Sequence, residues 1–140
     1  MIFGSLRNRG VLGINCRNSE LISTFNPRKL YPLVDDKLRT KKLALDHGVP
    51  VPELYGSLST IHDIHDFHTI IGDRQDFVVK PANGSGGDGI LVFDGQRDGR
   101  FRLCTGLMVP WDDLSHHLAN TLNGQYSLGG HPDRVMIEYR

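Results

Sequence analysis

The sequence predicts an α+β fold in which one mixed, mostly antiparallel sheet is covered by helices. Short apolar and β-branched runs recur along the chain, which is typical of strands. Amphipathic stretches of helical period separate several of them. Two of the runs are joined by the tight turn signal Asp98-Gly99, which favours antiparallel pairing. The predicted strands are ELYGSL (53–58), DFVVK (76–80), ILVF (90–93), RFRLC (100–104) and VMIEYR (135–140).

The predicted elements begin after an irregular N-terminal segment, residues 1–34, in which glycines and prolines interrupt any period. Asp35-Asp36 can cap a first helix over 37–47. Its leucines give an approximate apolar face, and Lys41 and Lys42 are expected to face water. Gly48 is expected to end it.

A second helix is predicted from Ser59 or Thr60 to Ile71, and a third from Pro110 to Leu122. Asp94-Gly95 is a further turn signal. These elements predict two domain parts: the irregular segment 1–34 and an α+β lobe over 35–140.

Composition narrows the function classes. Sixteen basic residues balance sixteen acidic ones, so a broad attraction to nucleic acid or to anionic membrane is not indicated. No apolar run approaches the roughly 20 residues of a membrane span. The two cysteines, Cys16 and Cys104, are far apart and predict reduced thiols. We therefore expect a cytoplasmic protein, and homo-oligomerisation stays open.

The strongest chemical signal is the run KPANGSGGDGI, residues 80–90. Glycines let successive backbone N–H groups turn toward one anion, and the lysine adds a positive charge. A dinucleotide-binding loop would open a helix, a Walker loop would end in GK[ST], and a kinase lysine would follow its loop. None of these patterns fits, and a glycine-rich hairpin without a ligand is the remaining structural alternative.

A strand, a lysine, a proline, a glycine loop and a second strand follow one another as in ATP-grasp enzymes. The chain resembles the alpha-L-glutamate ligase-like branch of that superfamily over nearly its whole length. The resemblance implies that the chain is the ATP-grasp N-terminal lobe of a two-lobed fold, with ATP between the lobes. The segments that carry it are GVLGINCRN (10–18), NPRKLYPLVDDKLRTKKLA (26–44), HGVPVPELYG (47–56), FVVKPANGSGGDGILV (77–92), YSLGG (126–130) and MIEYR (136–140).

The resemblance also implies roles for individual residues. Lys37 and Lys80 look like the two nucleotide lysines. Glu138 and Tyr139 look like the hinge between the lobes, where main-chain groups bind adenine. The mobile loop that closes over the β- and γ-phosphates corresponds to Ser85, Gly86, Gly87 and Gly89.

The implied activity is ATP-dependent ligation of a carboxylate to an amine through an acyl phosphate, with ATP, Mg²⁺, and small-molecule or peptide substrates. Acidic and amide magnesium ligands belong to the second lobe, and the 140 residues contain no such set. We therefore expect this chain to be inactive alone. The alternative is a non-catalytic nucleotide-binding or interaction fragment.

Two further groups of polar residues leave their roles open. His62, His65 and His68 share one predicted helix, where a metal site competes with a solvated face opposite Ile61, Ile64, Phe67 and Ile71. Arg17 or Arg28 could pair with a substrate carboxylate, or could pin a loop.

Overall fold

The computed structural model describes residue 6 and residues 8–140. Helix replaces the expected irregular structure over residues 14–25, where α1, a π-helix and α2 follow one another directly. Their residues are exposed or half-buried, so this helix adds nothing to the core. The elements of this region are α1 (Ile14–Cys16), the π-helix Arg17–Ile22, α2 (Ser23–Phe25), a 3₁₀ turn (Arg28–Leu30) and α3 (Pro32–Asp35).

A six-stranded sheet forms the centre of the protein, in the order β1-β6-β2-β3-β4-β5. All five of its pairings are antiparallel, which confirms the α+β fold. The C-terminal strand lies between the first two strands of the chain, so distant segments meet there. The strands are β1 (Leu54–Leu58), β2 (Asp76–Pro81), β3 (Leu91–Arg97), β4 (Arg100–Leu103), β5 (Met108–Pro110) and β6 (Val135–Glu138).

The apolar core lies on one face of this sheet, beneath α5 (Phe67–Ile71) and α6 (Trp111–Leu122). A 3₁₀ helix (His62–Asp66) leads into α5. Aromatic rings dominate the core: Phe77 stacks on Phe93 with ring centroids 4.8 Å apart. Because side chains alternate across a strand, burying Phe77 and Val79 on this face directs Lys80 to the other.

The opposite face is covered by α4 (Lys37–Asp46), as its contacts with Glu138 show. Asp36 caps this helix, and its carboxylate accepts hydrogen bonds from the amides of Leu38 and Arg39. The expected orientation of the helix is wrong. Lys41 is buried, 7% exposed, whereas Leu45 is 59% exposed. A cation, not a leucine, therefore faces the sheet.

Smaller differences concern β-structure and the histidines. Gly95 lies inside β3 at a bulge, not in a turn, and β5 was not predicted.

Ile64, Phe67 and Ile71 face the core as expected, whereas Ile61 is half exposed. Among the described residues no cluster of metal-ligating side chains forms around the histidines or elsewhere. In the same part of the chain no helix has the length and apolarity to cross a membrane.

Candidate functional site

The glycine loop, residues 84–89, connects β2 to β3 and runs from Lys37, at the start of α4, to His117 on α6. Ser85 to Asp88 are exposed. Gly86 and Gly87 have φ angles of +66° and +89°, a region that other residues adopt only at a steric cost. The loop can therefore present backbone amides to a ligand in a way that side-chain-bearing residues would hinder.

Lys37 holds the first end of this loop. Its backbone amide donates to the carbonyl oxygen of Ala82 at 2.9 Å. Its ammonium nitrogen Nζ donates to the carbonyl oxygens of Gly84, at 2.5 Å, and Ala82, at 3.4 Å. An ammonium group has three donors, so one donor of Lys37 is left for an anion.

Burial lowers the pKa of Lys37, and the nearby Lys80 lowers it further, whereas Asp133 opposes both. Lys37 is thus a cation in a setting that disfavours its charge. An arriving anion would relieve that penalty, because an opposite charge favours the charged form.

The same end of the loop is fixed by the segment 126–133. The carboxylate of Asp133 accepts hydrogen bonds from the Asn83 backbone amide, at 2.9 Å, and from its side-chain amide, at 2.6 Å. Ser127 forms an isolated antiparallel bridge with Gly84, and the amide of Leu128 donates to the Asn83 carbonyl oxygen at 3.2 Å.

The second end of the loop is fixed by α6 and Tyr126. Gly89 has a φ of +74°, and a Cβ placed there would lie 2.6 Å from the Tyr126 ring. Nε2 of His117 lies 3.0 Å from the Gly89 carbonyl oxygen. Since a carbonyl only accepts, Nε2 carries the proton. Burial lowers the pKa of His117, which favours its neutral form.

A charge cluster lies beside the loop, under α4. Glu138, 4% exposed, is bound by Lys80 at Oε1, and its Oε2 lies 2.8 Å from Nζ of Lys41. Lys41 also donates to the carbonyl oxygen of Pro52. The contact at Oε2 is an ion pair without hydrogen-bond geometry, so this oxygen has no hydrogen-bond donor among the described residues.

Lys41 is the site residue that sequence reasoning missed. It follows Lys37 by four positions, and residues at i and i+4 share one helix face. That spacing was the signal that could have placed both lysines on the same face once Lys37 was assigned to the nucleotide.

Two cavities meet at Lys37. A cleft of about 260 Å³ lies between α4 and the sheet, with Val34, Ala44, Val51 and Met136 among its apolar walls and the charge cluster at its floor. A smaller cavity of about 90 Å³ lies under the glycine loop. Lys37 lines both, so a ligand extending from the cleft toward the loop would pass its ammonium group.

The predicted site residues come together only in part. No hydrogen bond joins Lys80 to loop residues 84–89, all of which the structure describes; its partner is Glu138. The cation at the root of the loop is therefore Lys37. The backbone amide of Tyr139 donates to the Glu53 carbonyl oxygen at 2.8 Å, so this donor is already used within the protein. The Tyr139 side chain is exposed.

Comparison with known proteins identifies the family of the chain. The family model of the sugar-transfer associated ATP-grasp proteins matches residues 16–140. The chain belongs to this ATP-grasp family. The resemblance seen in the sequence is thereby confirmed for the superfamily, whereas the alpha-L-glutamate ligase-like branch stays a prediction.

The crystal structure of D-cycloserine synthetase DcsG is similar to this ATP-grasp chain, with a TM-score of 0.50 and 22% identity. The similarity covers 81% of this chain and 32% of the synthetase, so the chain spans about a third of that protein. At this identity the likeness supports the fold. No curated protein sequence matches the chain.

Proposed function

We propose that this ATP-grasp chain is the ATP-binding portion of an ATP-dependent carboxylate–amine ligase of the glutamate type. The proposal rests chiefly on Lys37, which lines both the cleft under α4 and the cavity under the glycine loop. The adenine would occupy the cleft, and the triphosphate would extend past Lys37 to the loop amides.

The cleft offers what an adenine requires. Its walls are largely apolar, which suits a flat heterocycle. Lys80 and the paired carboxylate of Glu138 also line it. Polar groups at one side of an apolar pocket can fix the orientation of a ligand through hydrogen bonds to its edge. An adenine held between the apolar walls would meet these groups with its polar edge.

Two lysines would lie one after the other along the triphosphate. Lys80, which is held by Glu138, would lie near the start of the triphosphate, and Lys37 would lie at the root of the loop. Ser85, Gly86 and Gly87 would then cover the β- and γ-phosphates, with Gly89 as the fixed end of the loop. Phosphoryl transfer depends mostly on such positioning and charge neutralisation.

Magnesium would be held jointly by the phosphates of the nucleotide and by the protein. Mg²⁺ keeps several waters and is held by phosphates with one or two carboxylates. The described residues contain no group of three acidic, histidine or cysteine ligands. The phosphates would therefore supply most of the ligands of the ion, and the ion would supply positive charge against them.

The proposed reaction has two steps. A carboxylate oxygen attacks the γ-phosphorus, the bond to the β-phosphate oxygen breaks, and ADP leaves with an acyl phosphate remaining. An amine nitrogen then attacks the acyl carbon, inorganic phosphate leaves, and the nitrogen loses a proton to give an amide. This chain would hold and orient the nucleotide during both steps.

Titration calorimetry with magnesium and a non-hydrolysable ATP analogue tests the nucleotide site. Lys37→Met and Lys80→Met should each weaken binding by about tenfold or more, the equivalent of one charged hydrogen bond of about 1.5 kcal/mol. Lys42→Met is the matched control, because Lys42 belongs to the same helix and forms an exposed pair with Asp46. Unchanged affinity in both site variants would exclude the proposed nucleotide site.

A non-catalytic nucleotide-binding module is the second candidate. The observations that carry the proposal, Lys37 lining both cavities and the exposed glycine loop, concern nucleotide binding and suit this candidate as well. Incubation of the chain with Mg-ATP, L-glutamate and hydroxylamine tests for ligation, since an acyl phosphate yields a hydroxamate. Hydroxamate formation would exclude the non-catalytic module.

A further inference from the structure

A separate cavity of about 570 Å³ lies on the other side of the N-terminus of α4. Its lining comes from four parts of the chain: the 3₁₀ turn and α3, the start of α4, Asn83 after β2, and the segment 127–132. The polar residues that matter are Arg28, Asp35, Arg39, Asn83, Ser127 and His131.

Arg28 and Asp35, which carry opposite charges, both line this cavity but form no ion pair with each other. Asp36 is neutralised by Arg134, whose Nη2 lies 2.6 Å from its carboxylate. Arg39 contacts the same carboxylate loosely, at 3.8 Å, with 62% of its side chain exposed. Arg28 and Asp35 form no ion pair with any described residue, including each other. Both residues are exposed, and Asp35 interacts electrostatically with Lys37. A cation and an anion therefore line one cavity, and neither has an ion-pair partner within 4 Å among the described residues.

The cavity also adjoins the glycine loop. Asn83 and Ser127 line it, and both contact the first end of the loop: Asn83 precedes Gly84, and Ser127 bridges to it. The side-chain amide nitrogen of Asn83 donates to Asp133. No described residue donates a hydrogen bond to its side-chain oxygen. An acceptor thus lies beside the place where the transferred phosphate would be.

The geometry points to a second substrate site here, for a small amino acid whose carboxylate binds Arg28 and whose ammonium group binds Asp35. This inference rests on the proposed function only in making that amino acid a partner in the ligation. Arg28 suits a carboxylate because its guanidinium group offers parallel donors. A molecule with one charge would leave either Arg28 or Asp35 uncompensated, so the zwitterion should bind best.

Nuclear magnetic resonance titration of the ¹⁵N-labelled chain tests the site with three probes of similar size: L-alanine, propionate and ethylamine. L-alanine should shift amide signals of residues 127–131 and saturate at a concentration about tenfold or more below either singly charged probe. Equal binding of all three probes, or no saturable shift with L-alanine, would overturn the site.

Variants separate this inference from the nucleotide site. Arg28→Gln and Asp35→Asn should each weaken L-alanine binding by about tenfold. Both should affect the affinity for the ATP analogue far less than Lys80→Met does, although Asp35 interacts electrostatically with Lys37. Lys80→Met should do the reverse. Lys29→Gln is the matched control, since Lys29 is an exposed neighbour of Arg28 outside the cavity lining. Retained L-alanine binding in both cavity variants would contradict the inference even if ATP binds as proposed.

Discussion

At the scale of single residues, Glu138 organises the charges of the sheet face under α4. Its carboxylate draws Lys41 and Lys80 to the same point from a helix and a strand. Removing charged groups from water costs free energy, and the opposite charge offsets that cost only while both partners remain. The arrangement fixes where two cations stand before any ligand arrives.

Replacing Lys41 should therefore destabilise the fold. Lys41→Met removes the buried ion pair with Glu138 and the hydrogen bond to Pro52, and should lower the free energy of unfolding by about 2 kcal/mol. Urea unfolding measures the change. Lys42→Met, which removes an exposed ion pair one position along, should cost less than about 0.5 kcal/mol. Equal effects of the two substitutions would argue against a buried role for Lys41.

The sequence predicted Lys37 as a site residue but placed Lys41 in solvent. The apolar pattern of α4 gave the wrong orientation of the helix. Leu43 and Leu45 are exposed, whereas Lys41 is on the buried face. Long charged side chains can cover apolar surface and still find a partner. The partner is Glu138, 97 positions later, and no local pattern reveals a contact of that length.

At the scale of elements, the glycine loop is a short span with two fixed ends. Lys37 and Ser127 hold Gly84, and His117 and Tyr126 hold Gly89. The residues between these ends make few contacts, which is typical of segments that move to enclose a ligand.

Gly89→Ala tests the second end of the loop. A Cβ at this position would meet the Tyr126 ring at 2.6 Å in addition to the cost of a positive φ. Gly99→Ala is the matched control, because Gly99 has a φ of +70° and no atom within 4 Å of its added Cβ. Gly99→Ala should cost about 1 kcal/mol in thermal unfolding, and Gly89→Ala at least about 1 kcal/mol more. Equal costs would mean that Tyr126 does not fill the space at Gly89.

His117 should make stability depend on pH. Burial lowers its pKa below the ordinary 6.5, so the unfolded chain binds more protons as pH falls through 6.5. The free energy of unfolding should therefore decrease from pH 6.5 down to the lowered pKa and then level off. Chemical denaturation at several pH values should show this decrease in the wild type.

Two substitutions on the same helix identify the source of that pH dependence. His117→Gln should flatten the decrease, because glutamine does not titrate. His116→Gln, at an exposed neighbour, should leave it in place. A decrease that survives in His117→Gln would assign the effect to other groups.

At the scale of the whole molecule, the sequence predicted the sheet well where strands are long and apolar. β2 and β6 fit their runs closely because β-branched residues suit a buried sheet. The three-residue β5 includes Pro110 and is recognised only through its pairing with β4. Gly95 resembled a turn but forms a bulge, and a local pattern does not separate the two.

The core should carry most of the stability of the molecule. Phe67 is fully buried and lies near Phe77, Phe101 and Trp111. Phe67→Ala should lower the free energy of unfolding by about 3–5 kcal/mol. Phe25→Ala, at a phenylalanine that is 73% exposed on α2, should change it by less than about 0.5 kcal/mol. Similar losses would place Phe25 in a packed environment that the described residues do not provide.

The anchoring of both loop ends sets an order of events. Between these anchors the backbone from Gly84 to Gly89 measures at most about 18 Å when fully extended, so its midpoint can rise by only about half that length. Such a short tether cannot reach out to capture a distant nucleotide. In the proposed nucleotide site, the phosphates would therefore have to lie beside Lys37 before the loop could close over them.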